Sequence, residues 1–103
     1  MLVELEFHSE FRTDLLNARD YYDSRELGLG DNFAAEVESG ILRVAETPKI
    51  YGFVRPPGIR GAKLKRFSGY SIVYEIISES KIYVYAVFCW RRDPAELLGR
   101  LPY

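Results

Sequence analysis

Five basic residues, Arg55, Arg60, Lys63, Lys65 and Arg66, fall within twelve consecutive positions that contain no acid. Guanidinium groups engage oxyanions through paired hydrogen bonds, so a run of this kind has the chemistry to hold phosphates or an acidic peptide. Lysines also guard edge strands against aggregation. The density of the run favours binding over simple protection. On an extended chain Arg60, Ala62, Leu64 and Arg66 face one way, and Lys63 and Lys65 the other. Arg91 and Arg92 follow an apolar segment, where a loop brings them toward the same sheet end. Trp90 beside them offers a ring to stack on a base or to anchor an interface.

The acid–base inventory is thinner. His8 is the only histidine, at a strand end far in sequence from the basic run. A structural or exposed role suits it better than catalysis. Cys89 ends an apolar strand; neighbouring cations lower a thiol pKa, yet a lone strand cysteine more often serves as a small core residue. Neither Gly28/Gly30 nor Gly58/Gly61 has the spacing of a phosphate loop. One cysteine and one histidine do not make a structural metal site, and Ser9, Ser68 and Ser71 lack a neighbouring base. The residues therefore support a basic binding surface, with no metal, no cofactor and no recognisable catalytic set.

These side chains need elements to position them. Val3, Leu5 and Phe7 alternate with Leu2, Glu4, Glu6 and His8, a period of two that predicts a half-buried strand. Ser9 is the expected N-cap of a helix in which Phe11, Leu15, Ala18 and Tyr22 share one face, with Asp14, Arg19, Asp20 and Asp23 on the others. Leu27 to Gly30 ends this helix, and Asp31 caps a second. There Phe33, Val37, Ile41 and Val44 form the apolar stripe, and Thr47-Pro48 stops it. The two helices make an antiparallel hairpin. Gly40 inside the second predicts close packing, because it costs about 1 kcal/mol relative to alanine.

After the Arg55-Pro56-Pro57-Gly58 loop, strands are expected over 59–67, 70–77 and 81–89. Tyr70, Ile72, Tyr74 and Ile76 share a face of the second, and the nearly all-apolar third reads as central, with both faces covered. A helical turn over 95–100 closes the chain. The fold class is α+β: β-α-α-β-β-β, a helical hairpin packed on a small antiparallel sheet, with a short C-terminal helix.

The chain has 103 residues, 48% of them hydrophobic and 28% charged, which suits one folded domain over 1–103 and disfavours disorder. The longest apolar run, Ile82 to Trp90, is far short of the ~20 residues a membrane span needs. The N-terminus alternates and carries acids, unlike a basic leader before an apolar segment. A single cysteine excludes an internal disulfide and suits a reducing cytoplasm. The net charge of −1 conceals a split. Residues 1–46 hold 11 acids and 4 bases (−7), and residues 47–103 hold 4 acids and 10 bases (+6). Such asymmetry suits an anionic partner, or an acidic helical layer facing a basic sheet edge.

The element order and two segments resemble the RelE/ParE superfamily of bacterial type II toxins. The first segment runs from Arg60 through Lys63, Lys65, Arg66 and Phe67 to Tyr70 and Tyr74, like that family's basic strand, aromatic turn and Tyr-x-x-x-Tyr strand. The second, Tyr85 to Pro94, resembles the apolar strand that ends in Arg-Arg-Asp-Pro. Asp20-Tyr21-Tyr22 and Gly30 to Phe33 fit the helical hairpin. The resemblance covers nearly the whole chain.

It implies a toxin neutralised by a cognate antitoxin. RelE-like members cleave mRNA on the ribosome, and ParE-like members poison DNA gyrase without cutting. Lys63 and Lys65 match the lysine spacing of the nucleases, and Arg91 or Arg92 their arginine; these four are the catalytic candidates of a ribonuclease. Ser71, however, stands where those nucleases carry arginine, Leu97 or Leu98 falls near their tyrosine or histidine, and Cys89 replaces a frequent histidine. Cleavage through a 2′-hydroxyl needs a base and an acid as well as cations. The resemblance therefore implies the ParE-like branch, a non-catalytic gyrase toxin. Its target-binding residues would be Arg60, Lys63, Lys65, Arg66, Trp90, Arg91, Arg92 and Arg100, with Leu97 and Leu98. The ribosome-dependent nuclease is the runner-up, and an attenuated interaction module the third reading. Tyr22, Tyr83, Trp90 and Tyr103 are candidates for exposed interface aromatics.

Overall fold

A computed structural model describes residues 3–103. The N-terminal alternation becomes β1 (Glu4–Phe7); Met1 and Leu2 lie outside the described residues. The helical hairpin follows as α1 (Phe11–Arg25) and α2 (Leu29–Glu46). Next come β2 (Phe53–Arg55), β3 (Ile59–Lys63), β4 (Tyr70–Ser78) and β5 (Lys81–Cys89), and then α3 (Pro94–Leu98). The strands form one sheet in the order β1-β5-β4-β3-β2.

Two features of the sheet depart from expectation. β1 pairs with β5 in parallel, Glu4 opposite Lys81 through Phe7 opposite Val84, so the sheet is mixed, not wholly antiparallel. Residue alternation carries no information on strand direction. Here the helical hairpin carries the chain away from β1, and the Lys81 ammonium settles 3.0 Å from Glu6 and 3.9 Å from Glu4. β2, unanticipated because three residues are too few to display a period, pairs antiparallel with β3 across a register shift. The expected strand over 59–67 ends at Lys63, because residues 65–69 fold into a turn closed by Tyr70 N–H on Phe67 O at 3.3 Å.

The helices keep the predicted stripes but shift their caps. Glu10, not Ser9, is the N-cap of α1, and its N–H donates to His8 Nδ1 at 3.0 Å. Gly28, at φ +91°, is the left-handed residue between the helices, so Gly30 and Asp31 lie inside the first turn of α2. There the Asp23 carboxylate from α1 accepts the Gly30 N–H at 2.8 Å, doing the work assigned to an Asp31 cap, while Asp31 instead pairs with Arg19. Cross-helix capping of this kind has no local signature. α2 ends at Glu46, before Thr47-Pro48 as expected.

The main core lies between hairpin and sheet. Phe33, Val37 and Val44 of α2 pack with Ala62, Leu64, Ile72, Tyr74, Val84 and Val87. Gly40 lets α2 approach, since a Cβ there would stand 2.6 Å from Ile72 Cδ1. The other face of the sheet buries Ile59, Val73, Tyr85, Ala86 and Phe88 beneath Leu97 of α3, with Leu101 packed alongside. Both faces of β4 and β5 are thus covered. Asp14, expected on a solvent face, is instead buried (7% exposed) and bound twice by Arg100, at 2.5 and 2.7 Å. That pair joins α1 to the C-terminal segment across 86 residues.

Removing one partner of a buried ion pair leaves an uncompensated charge and costs about 3–5 kcal/mol. Asp14→Ala alone should therefore lower the unfolding free energy by about 3 kcal/mol in urea titrations, whereas Asp14→Leu with Arg100→Met should recover most of it. A double variant no more stable than Asp14→Ala, or an Asp14→Ala midpoint equal to that of the unaltered chain, would contradict this account. A second expectation concerns alkali. Burial pushes the Tyr74 hydroxyl, which donates to Pro48 O at 2.5 Å, up to about 12 from an ordinary 10.0. Burial also raises Tyr70, helped by Tyr22, and Tyr85, helped by Glu75. The folded state holds these protons more tightly than the unfolded chain, so their contribution is intact below about pH 10 and is lost as pH rises toward 12. Urea midpoints should fall across that window, with tyrosinate absorbance rising alongside; a flat midpoint would contradict the linkage.

Candidate functional site

The register of three antiparallel strands assembles the basic end of the sheet. Lys63 lies opposite Ser71, Ser71 opposite Phe88, and Tyr70 opposite Cys89. The C-terminal ends of β3 and β5 therefore meet at the start of β4. Trp90 N–H continues the match by donating to Gly69 O at 2.7 Å. In consequence Lys63, Lys65, Arg66, Trp90, Arg91 and Arg92 share one sheet end, although up to 29 residues apart in sequence.

Each is held differently. Trp90 is 39% exposed, packs edge-on against Phe88 at 5.0 Å, and donates its indole N–H to the buried Ser71 hydroxyl at 2.9 Å. Ser71, the position at which the nucleases carry arginine, thus serves to orient the tryptophan. Lys65 backbone N–H donates to Glu36 Oε2 at 3.3 Å, and the Lys63 and Lys65 side chains are exposed. Arg92 is ion-paired with Glu96 of α3. Asp93 Oδ1 accepts from Ala95 N–H at 3.0 Å and Pro94 begins the helix, which accounts physically for the Arg-Arg-Asp-Pro run as a turn plus cap.

Arg91 lies against the turn, its Nη2 3.7 Å from where a Cβ on Gly69 would sit, and Gly69 itself has φ +92°. Burial by itself raises the Cys89 thiol, but hydrogen bonding from the Arg91 backbone and guanidinium outweighs it, so the thiol falls below its ordinary value. The thiol remains buried. Among the described residues, no group of three or more His, Cys, Asp or Glu gathers to hold a metal ion. No helix among them is long and apolar enough to cross a membrane.

Two of the expected target-binding residues are engaged within the fold instead. The Arg60 guanidinium donates to Tyr51 O at 2.6 Å and Lys49 O at 3.3 Å and lies over the Phe53 ring at 4.2 Å. Arg100 is the partner of Asp14. Leu97 is buried and Leu98 exposed. Tyr22 is an element of the core rather than an exposed aromatic, stacked on Phe33 at 5.3 Å. Tyr103 accepts the Gly58 N–H at 2.6 Å.

Sequence reasoning missed the contribution of α1. Its last turn delivers Tyr21 and Arg25 to a cavity of about 350 Å³ whose opposite wall is Arg66, Phe67 and Arg91. Arg25 donates to the Tyr21 hydroxyl at 2.8 Å, an i,i+4 pair visible in the sequence once the helix is placed. Where the two helices meet beside the end of β1, Phe7, Phe11, Leu15, Ala34, Val37, Ile41 and Leu42, with the single acid Glu38, line a groove of about 340 Å³.

A protein-family model described as the ParE toxin of the type II toxin–antitoxin system parDE matches residues 5–94. Among solved structures, a chain of the chromosomal ParDE toxin–antitoxin system from P. aeruginosa is similar, with a TM-score of 0.58 at 18% identity, covering 84% of this chain and 94% of that one. At that identity the likeness speaks for the fold. A search of the curated proteins found no match.

The two carbonyl bonds and the ring contact assign Arg60 to the fold. Arg60→Met should therefore cost about 1–2 kcal/mol of stability in urea titrations, because Lys49 and Tyr51 carbonyls lose a charged donor. An unchanged midpoint would return Arg60 to the surface.

Proposed function

Since the chain belongs to the ParE toxin family of type II toxin–antitoxin systems, we propose that it arrests growth by binding DNA gyrase without cutting nucleic acid, in the cytoplasm, held inactive by a cognate antitoxin. The supporting observation is the composition of the sheet end. Lys63, Lys65, Arg66 and Arg91 stand with Trp90 at one edge, and the carboxylates bordering them are already engaged: Glu96 on Arg92, Asp93 as the cap of α3, Glu36 near Arg43 and the Lys65 N–H. Cations stabilise a phosphorane, but strand cleavage also needs a group to take a proton and one to give it back. Cys89, buried under Arg91, is poorly placed for either role. A surface of cations around a half-exposed tryptophan suits recognition, in which charge steers the encounter and an aromatic anchor holds it. Arg92 and exposed Leu98 extend that surface along α3.

The antitoxin segment in this reading is acidic and disordered until bound. It folds across the sheet end and the hairpin groove, where Leu42 is 56% exposed, and the ordering cost is offset by apolar burial and charge pairing. The nuclease reading rests on one observation, the placement of Lys63 and Lys65 one residue apart beside Arg91.

Induction without antitoxin, followed by dual pulse-labelling, separates the readings. Thymidine incorporation should fall before methionine incorporation, and the purified chain should inhibit gyrase supercoiling. Lys63→Ala with Lys65→Ala and Arg91→Ala should weaken that inhibition about tenfold or more, as expected for the loss of several charged contacts. If methionine incorporation falls first and the two lysine changes abolish mRNA cuts, the nuclease reading replaces this one. If growth is normal, the chain is an interaction module.

A further inference from the structure

The arginines of this protein divide by their partners. Arg19, Arg43, Arg92 and Arg100 pair with carboxylates, and Arg60 is bound to two carbonyls. Among the described residues no salt bridge involves Arg12, Arg25, Arg55, Arg66 or Arg91. Three of these five, Arg25, Arg66 and Arg91, line a single cavity of about 350 Å³, and no acidic residue lines it with them. Like charges gathered in one small volume repel each other, so an arrangement of this kind is stable in solution but gains when an anion enters.

We propose that this cleft, between the last turn of α1 and the turn joining β3 to β4, is a binding site for the phosphate of a nucleotide. The number of donors favours phosphate over carboxylate. Three guanidiniums line the cavity together with Tyr21, Tyr22 and Ser68, and three such forks offer more donors than one carboxylate can accept from. The cavity falls within the range of small-ligand sites. Half-exposed Tyr21 at its rim provides a ring on which a base can stack. Two of its arginines are held in place from behind: Arg25 by the Tyr21 hydroxyl at 2.8 Å, and Arg91 by Cys89 and the Ser68-Gly69 turn. The site goes beyond the gyrase reading, for it gives the chain a small-molecule ligand on a wall partly built by α1.

The probe is AMP, titrated into the full chain at low salt and followed by calorimetry and amide chemical shifts. Saturable binding is expected, with shifts centred on Tyr21, Arg25, Arg66 and Phe67. Adenosine should bind about tenfold more weakly or worse, and Arg25→Gln and Arg66→Gln should each weaken AMP by about tenfold, the scale of one charge-assisted hydrogen bond. Arg55→Gln, outside the cleft, should leave AMP affinity unchanged, and urea midpoints of all three variants confirm that they fold. A 5′-phosphorylated dinucleotide that binds more tightly than AMP assigns the site to a strand terminus, and equal affinity to a free nucleotide. Absence of saturable AMP binding, or AMP binding indifferent to Arg25→Gln and Arg66→Gln, overturns the proposal, as does an acidic peptide that competes as well as AMP. None of these readouts involves gyrase, so a failed supercoiling assay leaves the nucleotide site standing, and the reverse also holds.

Discussion

The register of β4 between β3 and β5 is the constraint on which the functional surface depends. β4 and β5 are apolar on both faces, covered by the hairpin on one side and by α3 with Leu101 on the other. A slip of one residue would move Ile72 and Tyr74 from the hairpin core to the α3 face, taking the Tyr74 hydroxyl from Pro48 O. It would also turn Ser71 and Glu75 into the hairpin core, so burial enforces the register strongly. Because Lys63, Ser71 and Phe88 are fixed as neighbours, the residues just beyond them have no choice of location. The basic turn after β3 and the Trp90-Arg91-Arg92 segment after β5 are thus brought together by the burial of apolar neighbours such as Ala62, Leu64, Ile72 and Phe88, not by attraction between their own like charges.

A second tie keeps the covering layers in place. The Asp14–Arg100 pair links the first helix to the last turn of the chain at the edge of the sheet, where Arg100 also reaches Tyr85 O at 3.3 Å. Without it, α3 and the following residues would hold the second sheet face mainly through Leu97 and Leu101. A charged pair in that position adds direction to a contact that apolar packing alone would leave loosely oriented.

Cations on this protein do two jobs that composition cannot separate. Arg60 and Arg100 satisfy buried or half-buried acceptors, whereas Lys63, Lys65, Arg66 and Arg91 face solvent or a cleft. The split between an acidic first half and a basic second half is genuine in the sequence. In three dimensions, however, α1 contributes Arg25 to the basic side, while Glu4 and Glu6 of the first half neutralise Lys81 of the second. The polarity of the chain is therefore only partly the polarity of the surface.

By itself the sequence determined the helices, the long strands and the apolar stripes, because each is written in a local pattern that burial must respect: Phe33, Val37, Ile41 and Val44 at helical spacing, and Ile82 to Cys89 as an unbroken apolar run within a strand. Gly40 as a close contact and Asp93-Pro94 as a helix start were legible for the same reason. The basic run and its likeness to a toxin family were also there to be read. Tertiary structure alone decided the parallel pairing of β1, the short β2, the cap lent by Asp23 to Gly30, and the burial of Asp14. It also decided which arginines remain without a carboxylate. Each of these outcomes turns on a partner distant in the chain, and a side chain's period says which face it occupies but not what it meets there.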